Sequence, residues 1–434
     1  MAPKVGFYTL GCKVNQYDTQ VLIESFRNRG FEVVPFDQPA DVYVVNSCAV
    51  TQRSVSRSKQ ALRSALRRNP RAVLVMTGCF PQVFKEEALA MAEVAVVSGT
   101  AARGRLVDMV EAVLRGGGRV VQLGDAGVEE VPCGGLARFE GRTRAFLKVQ
   151  EGCEEFCSYC VVPYARGPMR SRPAQDVLAE AKRLAEAGCK EVVLTGTHLA
   201  AYRWQDTDLS KLLEELERIE GIQRIRLSSV EPLDVHERLI EVMAKGGKVC
   251  HHLHLPLQSG SDEVLRRMNR KYDTDYFRKL VRRIREAMPD VGITTDVMVG
   301  FPGETEEQFL ETMEFVRECA FSRLHVFRFS PRPGTPAAQM PDQVDLEVKG
   351  QRASAMISLG RELSLSFASR FVGRVLDVLV EEERAEDGGL SGFTGNYIRV
   401  SFPGGDELVN RVVPVEILVP GDKISLGRVV PVGD

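Results

Sequence analysis

No apolar run in this sequence is long enough to span a membrane, and none has the form of a signal peptide. The first residues lead directly into a strand-like segment at residues 5–8, with no apolar core or small-residue cleavage site after it. Internal repeats and low-complexity tracts are missing as well, which argues against a solenoid or a disordered chain. The net charge of −2 excludes a protein that is basic throughout, although charge can still be concentrated locally. We therefore expect a folded cytoplasmic protein.

Cysteine is present in an unusual number, 10 among 434 residues. In a chain without an export signal these cysteines are hard to interpret as disulfides, because the cytosol keeps thiols reduced. Metal binding or redox chemistry is the better prediction.

The chain length predicts two or three separately packed units. In the first hundred residues, short apolar runs alternate with amphipathic charged stretches, the pattern of a parallel sheet flanked by helices. The runs lie at residues 5–10, 42–46, 73–77 and 94–97. We predict a doubly wound α/β unit over residues 1–125. The glycines at 116–118 and the loose stretch at 124–141 mark a linker around its end.

A second unit is predicted over residues 140–368, where six strand candidates are separated mostly by helical stretches. The candidates lie at residues 145–150, 191–195, 224–230, 252–258, 293–299 and 324–329. Six strand–helix repeats predict an α/β barrel of the TIM type, a partial (β/α)6 barrel, with chemistry on the loops after the strands. From about Phe371 short strands alternate with Gly-rich turns, which predicts a small all-β barrel over residues 369–434.

Three cysteines, Cys153, Cys157 and Cys160, follow the first predicted barrel strand, and their spacing lets the thiolates converge on one point. Three protein ligands on a cubane iron–sulfur cluster leave one iron free to bind an amino-acid substrate through its amine and carboxylate. Reductive cleavage of S-adenosylmethionine to a 5′-deoxyadenosyl radical requires such an open iron. A zinc site or three unrelated core cysteines are the alternatives, although zinc ribbons use paired Cys-x-x-Cys knuckles.

The Cys-x-x-x-Cys-x-aromatic-Cys run, with Tyr159 at the aromatic position, resembles the signature of the radical S-adenosylmethionine superfamily. The resemblance implies a [4Fe–4S] cluster on these three cysteines and S-adenosylmethionine as cofactor. It also implies that Tyr159 lies beside the adenine of that cofactor.

A second set of cysteines, Cys12, Cys48 and Cys79, is spread along the first predicted unit. Each follows the end of a predicted parallel strand, and in a doubly wound sheet those ends share one edge, where ligands bind. Three thiolates could meet there, with Gly11 and Gly78 allowing a bulky cofactor to approach the backbone. Buried apolar cysteines are the alternative, because free cysteine packs well inside proteins.

A cysteine-bearing α/β unit, a radical-type barrel and a small β-barrel, in this order, resemble the methylthiotransferase family over nearly the whole chain. Residues 11–16, Gly-Cys-Lys-Val-Asn-Gln, and residues 45–51, Val-Asn-Ser-Cys-Ala-Val-Thr, match its motifs. The resemblance implies a second [4Fe–4S] cluster on Cys12, Cys48 and Cys79, whose open iron presents sulfur. It also implies that the β-barrel is a TRAM module, which binds RNA.

Loops after the barrel strands are expected to hold S-adenosylmethionine, and Gly196, Ser229, Glu231 and Gln258 are the candidates there. Ordinary turn chemistry at a strand–helix junction is the alternative for each. Many radical S-adenosylmethionine enzymes carry Gly-Gly-Glu after the second strand to hold the methionine amine, whereas residues 195–198 here read Thr-Gly-Thr-His. The partner of the amine therefore stays open, and His198 can face either cofactor or substrate.

Three groups of basic residues predict contact with phosphate, with a solvated helix face as the alternative for each. The first group runs through residues 51–71, which contain no acidic residue. The second is Arg166, Arg170 and Arg172, and the third lies within residues 266–285.

Residues 163–172, together with residues 195–198, most resemble the family branch that acts on N6-threonylcarbamoyladenosine in tRNA. The implied reaction replaces the C2 hydrogen of this adenosine, at position 37 beside the anticodon, with a methylthio group. The implied partners are the tRNA anticodon loop, a low-potential electron donor such as flavodoxin or ferredoxin, and a sulfur donor, with no membrane. The alternatives are the branches acting on N6-isopentenyladenosine-37 of tRNA or on a ribosomal-protein aspartate. A non-catalytic RNA-binding or electron-transfer iron–sulfur protein is the alternative from another class.

Overall fold

Three sheets organise the chain in the computed structural model, which describes residues 2–126, 136 and 143–431. The first is a six-stranded parallel sheet in the order β2-β1-β3-β4-β5-β6. Its central strands, β3 and β4, are buried along their whole length because helices cover both faces. The elements of this unit are β1 (Lys4–Thr9), α1 (Lys13–Asn28), β2 (Glu32–Val34), β3 (Val42–Ser47), α2 (Gln52–Arg68), β4 (Val73–Gly78), α3 (Cys79–Val83), α4 (Lys85–Leu89), β5 (Val96–Ser98), α5 (Leu106–Leu114) and β6 (Val120–Gln122).

The glycines at 116–118, which the sequence predicts to be part of a linker, lie within the first unit. Residues 116–118 form the turn that joins α5 to β6, so they lie inside the first sheet's topology and the prediction is wrong for them. Most of the remaining predicted linker, residues 127–135 and 137–142, lies outside the described residues.

The second sheet is the open barrel that the sequence predicts, with six parallel strands in the order β7-β10-β13-β14-β15-β16. It consists of two three-stranded halves that single bridges join, one between Ile225 and Val249 and one between Ser229 and His254. Helices cover its outer face, and the long α14 packs on the last strand, β16. The elements are β7 (Arg144–Lys148), β8 (Gln150–Glu151), α6 (Val162–Arg166), β9 (Arg170–Ser171), α7 (Ala174–Glu186), β10 (Glu191–Thr195), β11 (Arg203–Trp204), β12 (Thr207–Asp208), α8 (Leu209–Glu217), β13 (Arg224–Leu227), α9 (Glu237–Ala244), β14 (His252–His254), α10 (Asp262–Arg267), α11 (Thr274–Ala287), β15 (Gly292–Val299), α12 (Glu306–Cys319), β16 (Arg323–Arg328), α13 (Pro336–Gln339) and α14 (Leu346–Ser369).

The third sheet closes on itself as a small barrel in the order β17-β18-β19-β21-β20, which agrees with the predicted TRAM-type module. Alternating side chains of its strands fill one apolar core. Its strands are β17 (Val375–Val380), β18 (Leu390–Thr394), β19 (Arg399–Phe402), β20 (Val412–Val419) and β21 (Ser425–Val429).

The two flanking units pack against opposite ends of the open barrel. The small barrel covers the amino ends of the strands, where the Arg224 guanidinium donates to the carbonyl of Phe393 at 2.7 Å and the Asn396 amide donates to the carbonyl of Asp290 at 3.1 Å. The first unit packs where β7 ends, through α1 and α3. Among the described residues, no helix is long and apolar enough to cross a membrane.

Candidate functional site

The three amino-terminal cysteines meet at the carboxyl edge of the first sheet. Cys12 directly precedes α1, Cys48 follows β3, and Cys79 begins α3 after β4. Burial raises the pKa of the Cys48 thiol to about 11, with the neighbouring Cys79 and Cys12 adding to the rise. Gly11 and Gly78 take φ values of 110° and 97°, and a Cβ on Gly11 would lie 3.3 Å from Cys48 Sγ. The backbone turns needed to gather these thiols therefore require glycine.

The three central cysteines lie together on the loop between β8 and α6. Burial raises the pKa of the Cys160 thiol to about 12, and the nearby Cys157 and Cys153 contribute to this rise. The Val162 amide donates to Cys160 Sγ at 3.4 Å, and the Arg270 guanidinium donates to Cys157 Sγ at 3.4 Å. Burial and the neighbouring sulfurs thus oppose the thiolate form, and these two donors partly offset that effect at Cys160 and Cys157.

The donor chemistry of both triads fits iron–sulfur clusters. Buried thiols with raised pKa values hold a negative charge only when a cation compensates it, and thiophilic iron provides that charge. No group of three or more His, Cys, Asp or Glu side chains within residues 2–126, 136 and 143–431 has the arrangement that a single metal ion needs. A four-iron cluster requires a wider arrangement, since each cysteine binds a different iron.

His198 faces the central cysteines. Its Nδ1 lies 3.8 Å from Cys153 Sγ, and its Nε2 lies 2.5 Å from Asp234 Oδ2. The Gln150 side chain accepts a hydrogen bond from the His198 amide at 2.8 Å and fixes the loop after β10. The structure therefore places this histidine beside the central triad, and its facing cofactor or substrate stays a prediction.

The five predicted contacts of S-adenosylmethionine divide into two groups. Gly196 and Ser229 line the large cavity described below. Tyr159 packs against the cluster formed by Val264, Met268, Phe301, Phe329 and Ala337, and Gln258 turns with a φ of 68° beside β15. Glu231 accepts a hydrogen bond from the Arg270 guanidinium at 2.5 Å, and the same guanidinium donates to Cys157 Sγ. The assignment of all five to the cofactor stays a prediction.

A cavity of about 1090 Å³ extends between the three units. The first unit contributes Cys12 and Lys13, and the small barrel contributes residues 381–383 and Tyr397. Inward-facing side chains of the open barrel form the walls, and residues 195–197 bring the cavity next to the loop of the central cysteines. The cavity is therefore adjacent to both triads and closed at its far end by the small barrel.

Three histidines that the sequence analysis did not single out line this cavity. Thr294 Oγ1 lies 3.1 Å from His252 Nε2 and 2.9 Å from His254 Nδ1, while His254 Nε2 lies 3.2 Å from Asp296 Oδ1. Burial lowers the pKa of His252 well below its usual value and that of His325 to about 4, so both rings are neutral near pH 7. These rings offer hydrogen bonds to a ligand without offering charge.

A buried ionic network joins the first unit to the open barrel between the two triads. Asp18 of α1 pairs with Lys148 at 2.6 Å, with Arg166 at 2.9 Å and with Arg103. Glu151 pairs with the same three cations at 2.6 to 3.0 Å. Burial alone would raise the pKa of Glu151, but the three cations hold it well below its usual value. Five charged side chains, each at most 9% exposed, therefore fix the seam between the units.

The network lies next to both triads, by contact at the amino-terminal one and by sequence at the central one. The Arg166 guanidinium donates to Asn15 Oδ1, which lies 3.8 Å from Cys79 Sγ. At its other end, Glu151 comes two residues before Cys153. The position of one triad relative to the other thus depends on these ion pairs.

Replacing Asp18 with alanine should strongly destabilise the protein, because three buried cations would then share one carboxylate. Breaking a buried pair in this way costs about 3–5 kcal/mol of the free energy of unfolding. Urea denaturation measures the loss. As a control, Asp108→Ala removes the exposed partner of Arg29 in the same unit and should change stability little. Equal effects of the two substitutions would contradict the structural role of the network.

Two of the three arginines in the second basic group are not available to phosphate. Arg166 and Arg172 are each only 2% exposed. Arg166 belongs to the buried network, and Arg172 pairs with Glu180 at 2.7 Å. The prediction is wrong for these two residues, because closeness to Cys160 in sequence does not reveal that α6 faces the first unit.

The third basic group is largely neutralised by its neighbours. Arg278 pairs with Glu318 at 2.6 Å, and Arg282 pairs with Glu286 at 2.8 Å. The Arg270 guanidinium donates a hydrogen bond to Cys157 Sγ.

The first basic group, on and after α2, is different, because most of its charged side chains are exposed. Its exposed arginines, without an ion pair in the described part of the chain, are Arg53, Arg57, Arg63, Arg67 and Arg71.

The fold and the central cysteines define the class of protein. The family described as Radical SAM superfamily matches residues 147–316, and the one described as Uncharacterized protein family UPF0004 matches residues 4–99. Among solved structures, the radical S-adenosylmethionine methyltransferase TsrM from Kitasatospora setae, with cobalamin and a [4Fe-4S] cluster bound, has a similar fold. Its TM-score is 0.57 and its identity 18%, over 78% of this chain and 77% of that one. The protein is a member of the radical S-adenosylmethionine superfamily.

Comparison over the whole chain identifies the family. The threonylcarbamoyladenosine tRNA methylthiotransferase MtaB of Bacillus subtilis (strain 168) is 41% identical, over 99% of this chain and 96% of the relative. The protein of the same name from Aquifex aeolicus (strain VF5) is 40% identical, over 95% and 100%. A tRNA-2-methylthio-N(6)-dimethylallyladenosine synthase of Bacillus subtilis (strain 168) is 37% identical, over 94% and 82%. The chain belongs to the radical S-adenosylmethionine methylthiotransferase family, whose members use S-adenosylmethionine and [4Fe–4S] clusters.

Proposed function

We propose that this protein converts N6-threonylcarbamoyladenosine at position 37 of tRNA to its 2-methylthio derivative. The observation that carries the proposal is the pair of cysteine triads beside one cavity. Relatives named for this reaction cover nearly the whole chain, which supports the same assignment.

The two triads have different roles in this proposal. Cys153, Cys157 and Cys160 hold one [4Fe–4S] cluster, and Cys12, Cys48 and Cys79 hold the other. When bound, the first would supply the electron that cleaves S-adenosylmethionine to a 5′-deoxyadenosyl radical, and the second would supply sulfur, while a second molecule of S-adenosylmethionine would supply the methyl group.

Residues around the central triad and the cavity have contacts that suit these two roles. The Arg270 guanidinium stabilises negative charge on Cys157 and is itself held by Glu231. On the other side of the central loop, Asp234 orients His198 toward Cys153. The neutral rings of His252 and His325 line the space for the nucleoside.

A target base must leave its stack for its C2 edge to become accessible, and an anticodon loop offers such a base. The cavity of about 1090 Å³ has room for a nucleoside with a large N6 substituent. Lys13, Arg144, Arg226 and the three histidines line the cavity together with Asp296 and residues 381–383, so its walls offer hydrogen bonds that the threonylcarbamoyl group can use and the apolar dimethylallyl group cannot. We therefore prefer this substrate to dimethylallyladenosine and to a ribosomal-protein aspartate.

The exposed arginines of α2 are proposed to bind phosphates of the tRNA, since α2 begins four residues after Cys48. Reversing two charges, Arg57→Glu with Arg63→Glu, should weaken tRNA binding by about tenfold or more at low salt and flatten its salt dependence. Filter binding over a range of salt concentrations measures both effects. Cleavage of S-adenosylmethionine without tRNA should not change.

The matched control is Arg282→Glu together with Arg266→Glu, on helices whose charges are locally paired. These substitutions should leave tRNA affinity within about twofold of the unaltered protein, because compensated surface charges contribute little. If both double variants weaken tRNA binding equally, α2 has no special role.

The reaction needs a low-potential electron donor such as flavodoxin or ferredoxin, and a source of sulfur, and we place it in the cytoplasm with its tRNA. The test is anaerobic incubation of the cluster-loaded protein with S-adenosylmethionine, dithionite, sulfide and tRNA bearing either modified adenosine. Mass spectrometry of the digested tRNA should show methylthio product from threonylcarbamoyladenosine. Product only from the isopentenyl tRNA, or from neither, would refute the proposal.

A further inference from the structure

Among the described residues, one lysine and two arginines line the cavity. The two arginines have carboxylate partners, and the lysine has none in the described part of the chain. Arg144 pairs with Glu381 at 2.7 Å, and Arg226 pairs with Glu191 at 2.8 Å. Lys13 has no hydrogen bond and no ion pair with any described residue. Its ammonium is therefore the one cavity cation in this part of the chain that is available to an anionic ligand.

The position of Lys13 directs this charge into the cavity. It is the first residue of α1, directly after Cys12, and it is exposed. Its charge contributes to the lowered pKa values of His252, His325 and Tyr397, which all line the same cavity. Because His252 and His325 stay neutral, they do not contribute positive charge that could neutralise an anion.

We propose that Lys13 binds the carboxylate of the threonylcarbamoyl group and thereby selects this nucleoside. The inference rests on the proposed function and names the residue that sets its specificity. In adenine, C2 and the carbon bearing N6 flank the same ring nitrogen, N1. A base that presents C2 to the sulfur site at Cys12 therefore places its N6 substituent near the next residue along the chain.

The energetics favour a charged substituent at this place. A carboxylate that leaves water for the cavity needs a cation close by, and the two cavity arginines already have carboxylate partners. A dimethylallyl group would instead leave the Lys13 ammonium without a partner while it displaced water from it. Lys13 thus attracts one substrate and disfavours the other.

The experiment compares the affinity of the full-length protein for two anticodon stem-loop RNAs that differ only at position 37. One carries threonylcarbamoyladenosine and the other unmodified adenosine. The unaltered protein should prefer the modified RNA by about tenfold or more, the usual worth of a hydrogen-bonded charge pair. Lys13→Gln should abolish this preference by lowering affinity for the modified RNA to that for the unmodified one, whereas Lys13→Arg should retain most of the preference.

Lys85→Gln is the matched control, because it removes one exposed charge from the same unit away from the cavity. Lys85→Gln should not alter the preference for the modified RNA.

If Lys13→Gln lowers the affinity for both RNAs equally, the residue binds phosphate and the inference fails. The inference also fails if the preference survives in this variant. A raised KM for S-adenosylmethionine in cleavage without RNA would show that Lys13 binds the carboxylate of that cofactor instead. If the unaltered protein makes methylthio product but Lys13→Gln keeps the preference, only this inference falls. If the unaltered protein makes no such product, the proposed function falls with it.

Discussion

Replacing Cys157 with alanine is expected to abolish the formation of 5′-deoxyadenosine and, with it, all methylthio product. Cys157 is one of three thiols on the loop after β8, and its Sγ is the acceptor of the Arg270 guanidinium. With only two cysteines left, the central site would lose the ligand set that holds a cluster with one open iron. Anaerobic assays that quantify 5′-deoxyadenosine by chromatography measure the loss, which should be complete.

The matched control for this variant is Cys189→Ala, which removes a half-buried thiol after α7 whose Sγ donates to the Glu191 carbonyl at 3.1 Å. It should cleave S-adenosylmethionine at nearly the rate of the unaltered protein. Binding of tRNA to the Cys157 variant should also persist, because the exposed arginines of α2 are untouched. Undiminished cleavage in the Cys157 variant would contradict the assignment of the central triad.

Replacing Cys48 with alanine should have the complementary effect, in which 5′-deoxyadenosine still forms but no sulfur enters tRNA. Cys48 is buried beside Cys79 and Cys12, on the other side of the ionic network from the central loop. Its loss should remove the second cluster and leave the first in place. Parallel measurement of 5′-deoxyadenosine and of tRNA nucleosides in one reaction separates the two outcomes.

Cys12→Ala provides the second variant for the same question. Cys12 is exposed at the start of α1, so this substitution removes a ligand without opening a hole in the core. Both variants should show the same uncoupling of cleavage from sulfur insertion. Methylthio product from either one would show that the amino-terminal triad does not supply the sulfur.

The triads could be predicted from the sequence because their geometry follows from local rules. Cys12, Cys48 and Cys79 each come directly after a strand of a parallel sheet, and such ends lie side by side whatever the details of packing. Most strands of the first two sheets were predictable for a similar reason, since buried parallel strands are continuous apolar runs. The edge strands β2 and β6 were not predicted, because they are short and partly exposed and so form no continuous apolar run.

The contacts between units could not be predicted in this way. Arg166 has the sequence context of a phosphate-binding residue, but it is buried because α6 faces the first unit. Asp18 and Lys148 are 130 residues apart and meet only when α1 packs on β7. The free charge of Lys13 is likewise visible only once the cavity and the partners of the other cations are known. Pairing across units depends on tertiary packing, which no local pattern encodes.

The most direct test of the account is the iron content of three anaerobically reconstituted proteins. The unaltered chain should bind about eight irons, and each variant with one triad replaced by alanines should bind about four. The variant that keeps Cys153, Cys157 and Cys160 should still cleave S-adenosylmethionine, and the variant that keeps Cys12, Cys48 and Cys79 should not. Full iron content after loss of either triad, or cleavage by the variant without the central cysteines, would contradict the division into a radical site and a sulfur site.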